Sequence, residues 1–161
     1  MANNSKYIVR QPIKDLQGKI LGYEIRYAGE DKAYDGGERG NDFAAADMIY
    51  SFLTQNAGKA LKDGVNFMTF TTNLLMKQAP RLFSPGDLVI QVDDSVIIHP
   101  LAMRFVERYS RDGYKVAVNE FQFSPRYISI LDKFDYIKIN FKTTSDSAIR
   151  STVEMAHGMG K

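Results

Sequence analysis

The sequence predicts an α/β fold on a mainly parallel sheet, and three observations predict it. From Val65 onward, short β-prone runs alternate with runs of helical period, the pattern of β-α units laid on parallel strands. The first two strand-like runs are separated only by the turn residues Asp15-Leu16-Gln17-Gly18-Lys19, which predicts an antiparallel hairpin. At 161 residues, with 44% hydrophobic and 25% charged, the chain has the size and apolar content of one domain with a real core. No internal repeat, low-complexity tract or second domain interrupts residues 1–161.

Each element has its own signal. Tyr7-Ile8-Val9 and Ile20 to Tyr27 are the hairpin strands. Residues Gly29 to Asn41 are polar and glycine-rich, hence a loop. Phe43, Ala46, Ile49, Tyr50 and Leu53 then recur at helical spacing, with Asn41 placed as the cap. Val65 to Thr71 is strand-like, Thr72 to Ala79 a short helix, and Leu88 to Val92 a strand. Pro100 to Arg111 is an amphipathic helix with Leu101, Phe105, Val106 and Tyr109 on one face, stopped by Gly113. Lys115 to Val118 is a strand, and Ser124-Pro125 starts a helix through Leu131. Tyr136 to Ile139 is the sixth strand, and a last helix carries Ile149, Val153 and Ala156 before Gly158. Periodicity of this kind fits an open doubly wound sheet and a (β/α) barrel equally well.

Composition excludes several classes. Lys plus Arg at 21 against Asp plus Glu at 19 leaves +2, too weak a bias for a nucleic-acid partner. With no cysteine there is no disulfide, thiolate metal site or thiol nucleophile, which suits a reducing cytosol. Neither a membrane-length apolar run nor a signal-peptide core is present. The expectation is a cytoplasmic protein without membrane or nucleic-acid partners.

The opening run Arg10-Gln11-Pro12-Ile13, then Gly18-Lys19, then Gly22-Tyr23-Glu24-Ile25 resembles the start of an EAL domain, the bacterial family that hydrolyses cyclic di-GMP. The signature Glu-Ala-Leu reads here as Glu24-Ile25-Arg26. Later segments follow the family's order over nearly the whole chain. The resemblance implies a TIM-like (β/α) barrel with one strand reversed near its start. A complete barrel has eight strands and typically about 250 residues, whereas six strands are legible here, so the barrel is expected to be incomplete and its last third missing.

The family holds two divalent cations, Mg or Mn, on carboxylates and an amide at strand C-termini, and the resemblance places those positions residue by residue. Glu24 keeps its carboxylate. Ala28 stands where the family grips phosphate with arginine, and Arg26 is expected on the opposite strand face. Thr69, in Phe67-Met68-Thr69-Phe70-Thr71, replaces a liganding asparagine. Gln91-Val92-Asp93-Asp94 resembles Glu-Ile-Thr-Glu, so Asp94 keeps a charge and Gln91 has lost one. Asn119-Glu120-Phe121-Gln122 resembles the metal-anchoring Asp-Asp-Phe-Gly: Asn119 is neutral, Glu120 reaches further, and Gln122 replaces a glycine. Lys138 matches the active-site lysine, and its following aspartate has become Asn140. Exchanges this numerous are incompatible with a two-metal geometry. Residual ligand binding would fall to Glu24 and Lys138, and a residual single cation to Glu24, Asp94 and Glu120; no cofactor is expected.

Other signals have plainer readings. Gly36-Gly37-Glu38-Arg39-Gly40 lacks a P-loop's Lys-Ser/Thr. Asp31 to Asp42 has a calcium loop's length but Ala33 at a ligand position. His99 and His157 lack metal-ligand partners and read as surface or capping residues. The tyrosines (9) and phenylalanines (10) follow the core periodicity. The resemblance therefore implies a non-catalytic EAL-like signalling module acting through protein contact, most similar to EAL domains joined to a regulatory HDOD domain. Its partner would be a protein, a second copy of itself or a downstream regulatory domain, with cyclic di-GMP weak or absent. The alternative is a cyclic di-GMP receptor or weak phosphodiesterase.

Overall fold

The computed structural model of the protein describes residues 7–28, 38–55 and 64–161. Six strands form one sheet in the order β1-β2-β3-β4-β5-β6, antiparallel between the first two and parallel thereafter. Strands β1 (Tyr7–Lys14) and β2 (Ile20–Ala28) make the expected hairpin. Asp15 Oδ1 accepts from the backbone N–H of Gln17 at 2.9 Å and of Lys19 at 2.8 Å, which fixes the turn. Gly18 supplies the left-handed φ of 81°. β1 outruns the expected Tyr7–Val9 and includes Pro12, which an edge strand tolerates because proline has no N–H to donate.

Helix α1 (Glu38–Gln55) starts before the cap expected at Asn41. Its first turn is polar, so apolar spacing gives no mark of its start. The buried stripe is Met48, Ile49 and Phe52, while Phe43 and Tyr50 are 60% and 68% exposed. Ile49 belongs to two overlapping helical-period sets, and the sheet took the one ending in Phe52. The expected loop's residues 29–37 lie outside the described residues, as do Gly36 and Gly37 of the glycine-rich run and residues 31–37 of the calcium-loop segment.

Strand β3 (Val65–Thr69) ends sooner than read, because Thr71 caps helix α2 (Thr72–Met76) through its Oγ1. Pro80 disfavours helix at the residue before it, so α2 stops short of Ala79 and a 3-10 turn (Ala79–Leu82) follows. Strand β4 (Leu88–Val92) leads into the short α3 (Asp94–Ile97). Helix α4 (Pro100–Arg111) has the expected bounds and is capped by His99, whose Nδ1 accepts from Ala102 N–H at 3.4 Å. It buries Ala102, Met103, Val106 and Tyr109, leaving Leu101 42% exposed. Strand β5 (Lys115–Val118) precedes α5 (Pro125–Ile128), which is shorter than read and yields to a 3-10 turn at Leu131–Lys133. Strand β6 is only Tyr136–Ile137, although Lys138 N–H still donates to Val118 O at 2.9 Å. Helix α6 (Asp146–Gly158) closes the described chain, capped by Ser145.

Strand alternation divides the side chains between two faces. Met68, Ile90, Val92, Val116 and Val118 are fully buried in the main core, together with residues of the helices. On the other face Phe67, Val89 and Ala117 form a smaller buried cluster with Ile13 and Val65 packed against it. At Gly22 a Cβ would stand 2.5 Å from Val65 O, so β2 approaches β3 too closely for any other residue. No helix among the described residues is long and apolar enough to cross a membrane.

Candidate functional site

The face that carries the Phe67 cluster also carries the polar groups, level with it on β2 and one step further along β3 and β4. Glu24 pairs with Phe67 in register, Thr69 with Gln91, and Gln91 with Ala117. Lys138, just past β6, reaches across to the opposite wall. Its Nζ donates to Glu24 Oε1 at 2.7 Å and to Gln91 Oε1 at 2.6 Å. Gln91 Nε2 in turn donates to Glu24 Oε1 and to Thr69 Oγ1, both at 3.4 Å. Glu24 and Lys138 side chains are 19% and 26% exposed, and Gln91 is fully buried. The ammonium is thus the cation of this site, held by one carboxylate and one amide oxygen.

A cavity of about 540 Å³ opens above this network, lined from β1 by Gln11, from β2 by Glu24 and Arg26, and from the segment after β5 by Asn119 and Glu120. Lys138 to Lys142 complete the wall. Four sequence-expected residues therefore meet here: Glu24, Asn119, Glu120 and Lys138, with Thr69 joined through Gln91. Arg26 requires a correction. It lies two residues after Glu24, so the strand period puts both on the same face, and Arg26 lines the same cavity. Ala28 ends β2.

Asp94 does not join them. It sits in the first turn of α3, where Tyr127 donates its hydroxyl to Oδ1 at 3.0 Å and Arg126 pairs with the same oxygen at 2.7 Å. Burial, and then this bond to Asp94, push the Tyr127 hydroxyl up to about 12. Asp94 lines a separate cavity of about 230 Å³ with Asp93, Gln122 and Tyr127, to which Asn119 and Glu120 also contribute. Glu120 takes a left-handed φ of 52°, and the turn lets Phe121 N–H donate to Lys138 O at 2.8 Å.

Of the residues expected to hold a divalent cation, Glu24 and Asp94 line different cavities. Among the described residues no group of three or more His, Cys, Asp and Glu side chains could hold one. Of the residual set, Glu24 pairs with Lys138, and Asp94 pairs with Arg126 and Tyr127. Sequence reasoning missed those two partners of Asp94, and it missed Gln11, Phe141 and Lys142 in the cavity wall. Gln11 was within reach, since hairpin pairing sets it directly opposite Glu24.

No family model matches the chain. It is 26% identical over 155 residues to the uncharacterized protein YuxH of Bacillus subtilis, covering 92% of this chain and 37% of that protein. It is 23% identical over 141 residues to the cyclic di-GMP phosphodiesterase CdgJ of Vibrio cholerae, covering 83% of this chain and 31% of that protein. Among solved structures, the EAL-domain protein YkuI of Bacillus subtilis, in complex with cyclic di-GMP and calcium, superposes with a TM-score of 0.69 at 18% identity. That match covers 95% of this chain and 46% of YkuI. The chain spans about a third of its curated relatives' length and has the EAL-domain fold through six strands, distantly related to CdgJ and YuxH.

Proposed function

We propose that this chain is a non-catalytic EAL-like module that acts through protein contact in a cyclic di-GMP signalling system. One observation carries the reading: the Lys138 ammonium lies between Glu24 and Gln91, on the oxygens a metal would need. A water activated by two cations requires both coordination spheres, and Thr69, Gln91 and Asn119 supply no charge toward either. The test is release of linear dinucleotide from cyclic di-GMP with magnesium or manganese, run beside a Glu24→Gln control. The expected result is no turnover above buffer; metal-dependent turnover that the control abolishes would refute the reading.

A second reading, a cyclic di-GMP receptor, has Arg26 in its favour, since that guanidinium shares the cavity with Lys138 and Lys142. Calorimetry separates the two, because sub-micromolar nucleotide affinity would favour the receptor. Contact between copies belongs to the first reading. β1 and β6 end the strand order, and unpaired edges recruit other chains. Light scattering at micromolar concentration should show a dimer or larger species, and a monodisperse monomer would remove self-association from the proposal.

A further inference from the structure

The larger cavity lies between the two ends of the sheet. Gln11 of β1 lines one side of it, and the residues that follow β6 line the other. Each of these strands has one edge without a strand partner among the described residues. An edge strand binds an extended peptide by main-chain hydrogen bonds, and pockets for alternate side chains give the specificity. Pro12 offers no N–H, so an added strand can use only the part of β1 before it.

The lining indicates what kind of segment fits. Glu24 and Lys138 neutralise each other, which leaves Arg26 and Lys142 against Glu120, one net positive charge. A phosphodiester presents only acceptors, which leaves the amide oxygens of Gln11, Asn119 and Asn140 without a donor. A peptide backbone presents donors and acceptors alternately, as do the amides of Gln11, Asn119 and Asn140 in the wall. Phe141 stands 74% exposed at the rim, and Val9, paired with Arg26 across the hairpin, is 39% exposed on the β1 edge. Aromatic anchors beside arginine are the residues on which interfaces concentrate their affinity.

We infer that this gap takes an extended acidic segment of a partner protein, which adds a strand along β1 and sets carboxylates on Arg26 and Lys142. The inference rests on the protein-contact reading above and names the chemistry of the partner.

Fluorescence anisotropy of the whole chain with a labelled Glu-Val alternating octapeptide tests it. Saturable micromolar binding is expected, weakened about tenfold by Arg26→Glu or Lys142→Glu and further by raising salt from about 50 to about 500 mM. A Lys-Val octapeptide should not bind, and methylating alternate backbone nitrogens of the acidic one should abolish binding. Circular dichroism of both variants confirms that they remain folded. Equal binding of acidic and basic peptides, affinity unchanged by both charge reversals, or binding of cyclic di-GMP without the peptide would overturn the inference. Hydrolysis of cyclic di-GMP in the same samples would overturn the reading beneath it, whereas absent peptide binding without hydrolysis overturns this inference alone.

Discussion

Replacing Lys138 by methionine tests whether the ammonium organises the site. The change keeps the stem and removes the charge, leaving Glu24 Oε1 and Gln91 Oε1 without the donor they share at 2.7 and 2.6 Å. Breaking a fully buried pair costs about 3–5 kcal/mol, and exposed pairs contribute about 0–1 kcal/mol. With Glu24 and Lys138 at 19% and 26% exposure, water reaches the orphaned carboxylate in part, so the expected loss is about 2 kcal/mol. With a urea slope of about 2 kcal/mol per molar, the unfolding midpoint should fall by about 1 M. Adding Glu24→Gln should recover part of that loss, because the uncharged amide no longer needs a cation. The double variant should therefore be more stable than the two single losses added together, by about 1 kcal/mol or more. A Lys138→Met midpoint within about 0.2 M of the parent, or strictly additive losses, would refute the account.

Three further outcomes follow from single positions. Gly22→Ala should lower stability by about 1–3 kcal/mol in chemical denaturation, because its Cβ would meet Val65 O at 2.5 Å and Val65 Cγ1 at 2.8 Å; an unchanged midpoint would mean that β2 and β3 separate freely. Glu120→Gly should raise stability by about 0.5–1 kcal/mol, the relief of a left-handed φ of 52° less the entropy cost of glycine. Loss of stability there would show that the Glu120 side chain matters to the fold. Tyr127 holds its proton up to about 12, so its contribution is complete below the unfolded value near 10 and is lost as pH rises from about 10 to about 12. Tyr127→Phe should flatten the thermal midpoint across that window, and an equally steep fall in the variant would assign the alkaline loss to Tyr109 and Tyr114, also raised by burial.

Apart from the short α3 (Asp94–Ile97), which was not read, the order of elements was legible in the sequence because most strands and helices carry their own period and their own stop. Asp15 and Gly18 announced the hairpin turn, and Pro100 and Gly113 bounded α4 to the residue. Errors fell where two patterns overlap. Ile49 belongs to two helical stripes, and only contact with the sheet decides which one is buried. The strand end at Thr69 follows from the Thr71 cap of α2, which strand propensity does not register. At the site, Glu24, Asn119, Glu120 and Lys138 were found from their order along the chain. The partners of Asp94 were not, because Arg126 and Tyr127 reach it across more than thirty residues through the placement of α5. The face of Arg26 was legible from strand alternation alone, and it was misread.

A site built for two cations gathers carboxylates that repel one another until the ions arrive. Here each of two retained acids has a fixed cation of its own: Lys138 for Glu24 and Arg126 for Asp94. The neighbouring positions Thr69, Gln91 and Asn119 are uncharged, and Glu120 shares its cavity with Arg26 and Lys142, so little field remains to draw in a diffusible ion. This predicts the response to divalent cations. An ion at a hundred times its dissociation constant stabilises a folded protein by about 2.7 kcal/mol, which for a chain of this size raises the thermal midpoint by about 5–10 °C. With millimolar magnesium or manganese, and equally with a chelator, the midpoint should move by less than about 1 °C. A shift of several degrees that disappears in Glu24→Gln would show that an ion can displace the Lys138 ammonium, and that the site is not electrostatically self-sufficient.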